Sequence, residues 1–219
     1  MKSYNEQLTA LRASGNLRHL PEVEHQGIWI LKEGKRMLNL SSNDYLGLAS
    51  RQDLQEEFQA STQDRFYPYS SSSSRLLTGN FSVYTKLEKQ IARSFDREAA
   101  LIFNSGYHAN TGILPALTDK QTLLLADKLV HASIIDGILL SGSPFLRHND
   151  YDQLERLVQK NACQYETIII LTESIFSMDG DVADLNRLIA IKRQYPNILL
   201  YVDEAHAIGA RGKTGLGIA

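Results

Sequence analysis

The sequence predicts an α/β fold with a mostly parallel sheet and helices on both faces. Short apolar runs rich in Ile, Leu and Val are too short for core helices, and helix-like patterns lie between them. The predicted strands span residues 99–103, 122–126, 167–171 and 198–202. Strands that alternate with helices favour right-handed crossovers and parallel pairing. Ligands of such sheets bind beyond the carboxyl ends of the strands, so the residues that follow each run are the candidates.

The remaining elements follow from spacing and punctuation. Val83, Leu87 and Ile91 share one helix face, and a similar pattern at residues 185–189 ends before Pro196. Further helices are predicted at residues 106–117, 130–140 and 151–161. The first forty residues suggest a helix near 5–13 and a hairpin at 27–40 that turns at Glu33-Gly34. The predicted organisation is therefore an N-terminal segment, 1–40, and a partial large domain, 41–219.

Composition excludes several classes of function. The net charge of −2 gives no reason to expect nucleic acid or a membrane surface as partner. The single cysteine, Cys163, excludes an internal disulfide and a cysteine zinc cluster. No apolar run approaches the ~20 residues that span a bilayer. The first residues lack the apolar core of a signal peptide, so a cytoplasmic location is expected.

Two strand ends carry groups suited to an anion or a flat ring. Asn104-Ser105-Gly106-Tyr107-His108 follows the first run, and a glycine that opens a helix lets backbone N–H groups approach an anion. A tight turn is the simpler interpretation of this glycine. Asp127 and His131 follow the second run, where the imidazole could stack on an aromatic ring or be satisfied locally.

The last two runs end in carboxylates. The loop at residues 173–181 is rich in acids, which is compatible with a metal site or with Asx turns. Asp203 is predicted at the tip of a buried strand, where an unpaired carboxylate is costly. A protonated pyridine nitrogen would serve as its partner, and Asp203 would keep that nitrogen protonated. His206 could donate to an oxygen on the same ring.

A nucleotide-binding function is an alternative interpretation of the last segment. Residues 202–206 are similar to the DEAH box of helicases, and Gly212-Lys213-Thr214 is similar to the end of a phosphate loop. The position that needs the loop's first glycine is Ala207. The order of the two motifs is also reversed, which leaves a magnesium-binding acid without a phosphate cradle.

Seven segments together resemble the α-oxoamine synthases, a branch of the fold-type I pyridoxal-phosphate (PLP) enzymes. The matching segments are 41–48, 74–79, 103–107, 127–133, 147–150, 172–181 and 203–206. The resemblance implies a PLP-dependent transferase fold type I large domain, with the C-terminal small domain outside this chain. One departure is the serine run 70–74, where the family has glycines, which enter left-handed conformations more cheaply.

The resemblance also implies roles for individual residues. Asp203 would pair with the pyridinium nitrogen, and His131 would stack on the ring. His206 and Ser177 would hydrogen-bond the ring hydroxyl. The remaining expected contacts are Ser105, Gly106 and Tyr107 to the cofactor, and Asn43, Arg18 and Ser74 to substrate. The loop at residues 70–78 would reach toward a second subunit of a homodimer.

The implied reaction is a decarboxylative Claisen condensation of an amino acid with an acyl-CoA or acyl-carrier-protein thioester. Segments 41–48 and 176–181 are most similar to the branch that joins L-alanine to a pimeloyl thioester in biotin biosynthesis; the branch that acetylates glycine is an alternative. The family's Schiff-base lysine is expected beyond Ala219. This chain alone is therefore expected to be inactive, and a non-catalytic remnant that dimerises or binds PLP is a further alternative.

Overall fold

The computed structural model describes residues 3–62 and 70–219, which form two compact units. The units divide between residues 65 and 66. Each is described by itself. The predicted organisation with a boundary at residue 40 stays a prediction.

The first unit combines helices with a small antiparallel sheet. It contains α1 (Tyr4–Ala13), β1 (Glu24–Gln26), β2 (Trp29–Lys32), β3 (Lys35–Leu38), a 3₁₀ turn (Leu48–Ser50) and α2 (Gln52–Thr62). The strands pair in the order β1-β2-β3. The predicted helix and hairpin are confirmed, because Glu33 and Gly34 both take positive φ at the turn between β2 and β3. Helix α2 was not predicted.

The second unit contains the larger sheet and its helices. Its elements are α3 (Ser82–Ser94), α4 (Gly106–Leu117), β4 (Thr122–Asp127), α5 (Ala132–Ser141), β5 (Phe145–His148), α6 (Tyr151–Asn161), β6 (Thr167–Glu173), α7 (Leu185–Gln194) and β7 (Ile198–Asp203). The four strands are parallel and lie in the order β5-β4-β6-β7. Three of the four predicted strands and the five predicted helices of this unit are confirmed. Strand β5 was not predicted.

The sheet buries both faces, as its continuous apolar runs require. Leu123 and Leu125 point to one face, where they pack with residues of α6 and α7. Leu124 and Ala126 point to the other face and pack with residues of α4 and α5. This alternation is the two-residue period of a strand. Helices on both faces confirm the predicted α/β class.

The predicted strand at residues 99–103 is wrong. No strand of the described residues pairs with this segment, and Leu101 is 65% exposed. The backbone of Ile102 is satisfied by side chains instead. Its N–H donates to Glu88 Oε1 at 2.9 Å, and its carbonyl accepts from Arg75 Nη1 at 3.2 Å. An apolar run becomes a strand only where a neighbouring strand supplies hydrogen bonds.

Within residues 3–62 and 70–219, no helix is long and apolar enough to cross a membrane.

Candidate functional site

The carboxyl edge of the parallel sheet collects the candidate residues of the second unit. Strand β4 has β5 on one side and β6 on the other, so the chain reverses its direction of travel across the sheet at this point. Ligands of open α/β sheets bind at such a reversal. Asp127, Glu173 and Asp203 end the strands β4, β6 and β7.

Asp203 is held at the tip of β7 by two donors. Its Oδ1 accepts the N–H of Ala205 at 3.0 Å, and its Oδ2 accepts Asn110 Nδ2 at 3.0 Å. A carboxylate has about four lone-pair positions, so these bonds orient Asp203 without filling it. The carboxylate can therefore still accept from a cationic ring nitrogen.

His131 is joined to Asp203 by a path of side chains. His131 is the N-cap residue of α5, and its Nδ1 lies 2.7 Å from Ser133 Oγ. Asn110 Nδ2 donates to the same Ser133 Oγ at 2.9 Å and also to Asp203. Two bridging residues thus separate the imidazole from the carboxylate. The structure brings together the two residues on which the sequence hypothesis depends.

Glu173 lies in the same edge and is 3% exposed. It pairs in register with Asp203 across β6 and β7. Burial, and then the charge of Asp203, raise the pKa of Glu173, while the backbone N–H of His131 opposes the rise. Its Oε1 has no partner among the described residues. The environment of Glu173 therefore disfavours its charged form relative to a carboxyl group in water.

The turn at Ser105-Gly106-Tyr107 opens α4. Ser105 caps this helix by accepting the N–H of His108 at 3.1 Å. The N–H groups of Gly106 and Tyr107 have no acceptor among the described residues, as expected for a first helical turn. A Cβ added at Gly106 would meet nothing within 4 Å. The Tyr107 hydroxyl donates to Asp136, which raises the tyrosine pKa. The turn is open toward an anion.

The two predicted ring-hydroxyl donors lie on loops that follow neighbouring strands. His206 is half-buried, three residues after Asp203. Ser177 is exposed on a turn after β6, which is closed by the Gly180 N–H donating to the Phe176 carbonyl at 3.0 Å. The acid-rich segment is therefore a turn. Among the described residues, no group of three or more His, Cys, Asp or Glu side chains could hold a metal ion.

The predicted substrate contacts are distributed over both units. Asn43 and Arg18 are exposed residues of the first unit. Ser74 is exposed in the second unit, and its carbonyl accepts the N–H groups of Leu77 and Gly79. Within the serine run, Ser72 takes a left-handed φ of 61°, the conformation for which glycine is cheaper.

The glycine-rich segment after β7 already holds an anion from its own chain. Glu204 Oε1 accepts the N–H groups of Ile218 at 2.7 Å and Ala219 at 2.9 Å. A Cβ on Gly217, whose φ is +94°, would lie 1.8 Å from Glu204 Oε2. Lys213 is exposed. Residues 211–219 form turns and contain no helix. Gly212-Lys213-Thr214 therefore do not open a helix whose N-terminus could bind a phosphate, which argues against the phosphate-loop interpretation.

Four residues of the site were not assigned roles from sequence: Asn110, Ser133, Tyr201 and Glu173. Asn110 is 5% exposed and Ser133 is 1% exposed. The one available signal was a polar residue within an apolar helix face, since Asn110 precedes the buried Leu114 by one turn. Which strand tip it would face depends on how α4 packs.

Comparison with known proteins shows the family and the fold of the chain. The family described as aminotransferase class I and II matches residues 35–217. The chain belongs to this family. It is 58% identical to a Haemophilus influenzae protein named "Putative 8-amino-7-oxononanoate synthase" and 57% identical to a Neisseria gonorrhoeae protein of that name. In both cases the match covers 100% of this chain and 58% of the relative. The chain therefore spans less than two thirds of these relatives.

Solved structures show the same fold. A serine palmitoyltransferase from S. paucimobilis with a bound PLP–myriocin aldimine has a TM-score of 0.82 at 25% identity, covering 97% of this chain and 55% of its own. An 8-amino-7-oxononanoate synthase from Francisella tularensis has a TM-score of 0.61 at 30% identity, covering 81% and 48%. The chain has the PLP-dependent transferase fold type I of a large domain.

Proposed function

We propose that this chain carries the PLP-binding face of an 8-amino-7-oxononanoate synthase. That enzyme condenses L-alanine with a pimeloyl thioester in biotin biosynthesis. The observation that carries the proposal is the Asp203 carboxylate at the tip of β7, joined through Asn110 and Ser133 to His131. The relatives that are 56–58% identical over the whole chain support the specific reaction.

The residues of the strand tips fit PLP. Asp203 retains room for a cationic donor, which a pyridinium nitrogen supplies. The N–H groups of Gly106 and Tyr107 suit a phosphate at the start of α4, where the helix dipole also favours an anion. Bound there, PLP supplies a protonated ring that withdraws electrons from the substrate carbon.

The chain's own side chains divide the remaining tasks. Asp203 would form an ion pair with the positively charged ring nitrogen and keep it protonated. His131 covers the ring, while His206 and Ser177 hydrogen-bond the ring hydroxyl. Asn43, Arg18 and Ser74 are the proposed contacts to the amino acid and the acyl thioester. The roles of Asp203, His131, His206 and Ser177 rest on their positions at or after the strand ends, and those of Asn43, Arg18 and Ser74 on the family resemblance.

Binding of a vitamin B6 phosphate to the 219-residue chain tests the cofactor assignment. Pyridoxine 5′-phosphate is the better probe, since it has no aldehyde to react with surface lysines. Asp203→Asn removes the charge and keeps the shape. We expect its affinity to fall about ten- to a hundredfold, the range of a hydrogen bond to a charged group. Lys213→Gln is the control and should bind as the unaltered chain does. Equal affinity of Asp203→Asn and the unaltered chain would exclude the assigned role.

A chimera tests the reaction. This chain would replace the matching 58% of the Haemophilus influenzae relative, and product would be measured with L-alanine and pimeloyl-CoA. Turnover that disappears in Asp203→Asn supports the proposal. Activity with glycine and acetyl-CoA alone would favour the glycine-acetylating branch instead. A folded chimera without activity on either pair would favour a non-catalytic remnant.

We also propose that the chain forms a homodimer through the loop at residues 70–78. Leu76 is 97% exposed and Leu77 is 76% exposed, and Leu76 lines the same surface pocket as the exposed Leu101. Contiguous exposed apolar side chains commonly mark an interface. Sedimentation of the chain against Leu76→Asp would measure this, and a monomer at all concentrations would contradict it.

A further inference from the structure

We infer that Asn110 and Ser133 are positioning residues that set His131 to act as a hydrogen-bond donor through Nε2. The four groups Tyr201, Asn110, Ser133 and His131 form one hydrogen-bonded path, with Asp203 attached at Asn110. The consequence for the cofactor rests on the proposed function. The path itself is a property of the chain alone.

The direction of the path starts at Tyr201. Burial, and then the charge of Asp203, raise the pKa of Tyr201 to about 12, so its hydroxyl keeps its proton. That hydroxyl donates to Asn110 Oδ1 at 2.6 Å. The amide of Asn110 therefore has only one consistent orientation. Its two N–H bonds go to Ser133 Oγ and Asp203 Oδ2.

Ser133 passes this direction on to the imidazole. A hydroxyl has one hydrogen, and Ser133 Oγ already accepts from Asn110, so its hydrogen is directed to His131 Nδ1. The backbone N–H of Ser133 donates to the same Nδ1 at 3.2 Å. Two donors make Nδ1 an acceptor. In the neutral ring the proton is then on Nε2. His131 therefore acts on a substrate oxygen as a hydrogen-bond donor and not as a base.

A close contact between α4 and α5 brings Ser133 within hydrogen-bonding distance of Asn110. Gly137 of α5 packs on the backbone of α4, and a Cβ at this position would lie 2.5 Å from the Asn110 carbonyl oxygen. Glycine at 137 therefore lets α5 approach α4 closely enough for Ser133 to meet Asn110. Both side chains are nearly fully buried, which strengthens their hydrogen bonds and makes the loss of either partner costly.

Nitrogen-15 NMR of the histidine rings tests the inference on the 219-residue chain without PLP. At a pH of about 8.5 an ordinary imidazole is neutral, and the two ring nitrogens report which one carries the proton. We expect His131 to show the Nε2–H form alone. Ser133→Ala keeps the backbone donor to Nδ1 but loses the hydroxyl, so part of the population should shift to the Nδ1–H form. Asn110→Ala should give a similar mixture, and Ser133→Thr, which keeps the hydroxyl, should restore the single form. The rings of His19 and His25 in the first unit are internal references.

Two results would overturn the inference: an Nδ1–H form of His131 in the unaltered chain, or an unchanged single form in Ser133→Ala and Asn110→Ala. Gly137→Ala should give the mixture while leaving every polar group in place. If that variant does not fold, Ser133→Ala still decides. Failure of pyridoxine 5′-phosphate to bind, together with the expected tautomers, would reject the proposed function and leave this inference standing.

Discussion

The central sheet and the segment at residues 99–103 are both apolar in sequence, but their backbones are satisfied differently. Ile169 lies in β6, which pairs with β4 on one side and β7 on the other, and is 1% exposed. Ile102 exchanges its backbone hydrogen bonds with Glu88 and Arg75, and its neighbour Leu101 is 65% exposed. Local hydrophobicity is therefore common to both regions, and the presence of a neighbouring strand distinguishes them.

The same two regions hold buried or half-buried carboxyl groups of opposite behaviour. Glu88 lies 2.8 Å from Arg75, and hydrogen bonds from Arg75 and from the Ile102 N–H lower its pKa. Glu173 ends β6 beside Asp203, and burial and this like charge raise its pKa. The segment at 99–103 is thus stabilised by an ion pair. The sheet edge, in contrast, keeps a buried acid beside Asp203, with which it forms no ion pair.

The largest expected difference between the regions is in packing. Ile169→Ala should lower the free energy of unfolding by about 2–5 kcal/mol, since it removes buried methyl groups and leaves a cavity. Leu101→Ala should change it by no more than about 0.5 kcal/mol, because its side chain is largely exposed. Urea denaturation of the 219-residue chain measures both. Similar losses for the two variants would mean that residues 99–103 are packed as tightly as the sheet.

A smaller effect is expected at Arg75, the residue that substitutes for a neighbouring strand. Arg75→Met removes the donor to the Ile102 carbonyl and the partner of Glu88. Amide exchange at Ile102 should accelerate roughly tenfold or more, since the Glu88 contact loses its support. Exchange at residues of β6 should remain unchanged.

Arg51→Met is the matched control, because the Arg51–Asp53 pair is exposed on both sides. Exposed pairs contribute little to stability, so this variant should leave exchange throughout the second unit unaltered. An equal change at Ile102 in both variants would show that Arg75 has no special role there.

The sequence predicts most of the second unit because its strands are continuous apolar runs. The continuous apolar run Ile168 to Leu171 predicts a strand that is buried on both faces of the sheet. Asp203 follows another such run, so it marks the carboxyl edge of the sheet. Strand β5 was not predicted because it lacks such an apolar run. Phe145, Leu146 and Arg147 are exposed at the sheet edge, so the strand shows no apolar periodicity.

The candidate site was only partly predictable, because its support depends on helix packing. The positions of Asp203 and His131 follow from the strands that precede them. Asn110 meets Asp203 across 93 residues of sequence, and it meets Ser133 at the place where Gly137 lets α5 pack closely on α4. No local pattern encodes such a distance. A polar residue on an apolar helix face indicates a buried partner without naming it.

The direction of each pKa shift fixes the pH dependence that the two carboxyl groups give to stability. A carboxyl whose folded pKa is raised favours folding at low pH, and this contribution is lost as pH rises through the folded pKa. Glu173 belongs to this class. A carboxyl whose folded pKa is lowered, such as Glu88, stabilises above the unfolded pKa, and this contribution is lost as pH falls through the folded pKa.

The smallest expected effect is on how the melting temperature changes with pH, and it has opposite signs for Glu173 and Glu88. Glu173→Gln should raise the melting temperature at pH 8, since it removes a buried charge, and the gain should shrink toward pH 5. Glu88→Gln should lower it at pH 8, with the loss shrinking as pH falls. Each kcal/mol corresponds to about 2–4 °C for a chain of this size. Glu98→Gln, an exposed position, is the control. A gain in Glu173→Gln that is independent of pH would mean that the buried acid stays protonated throughout, and that its effect on stability comes from packing alone.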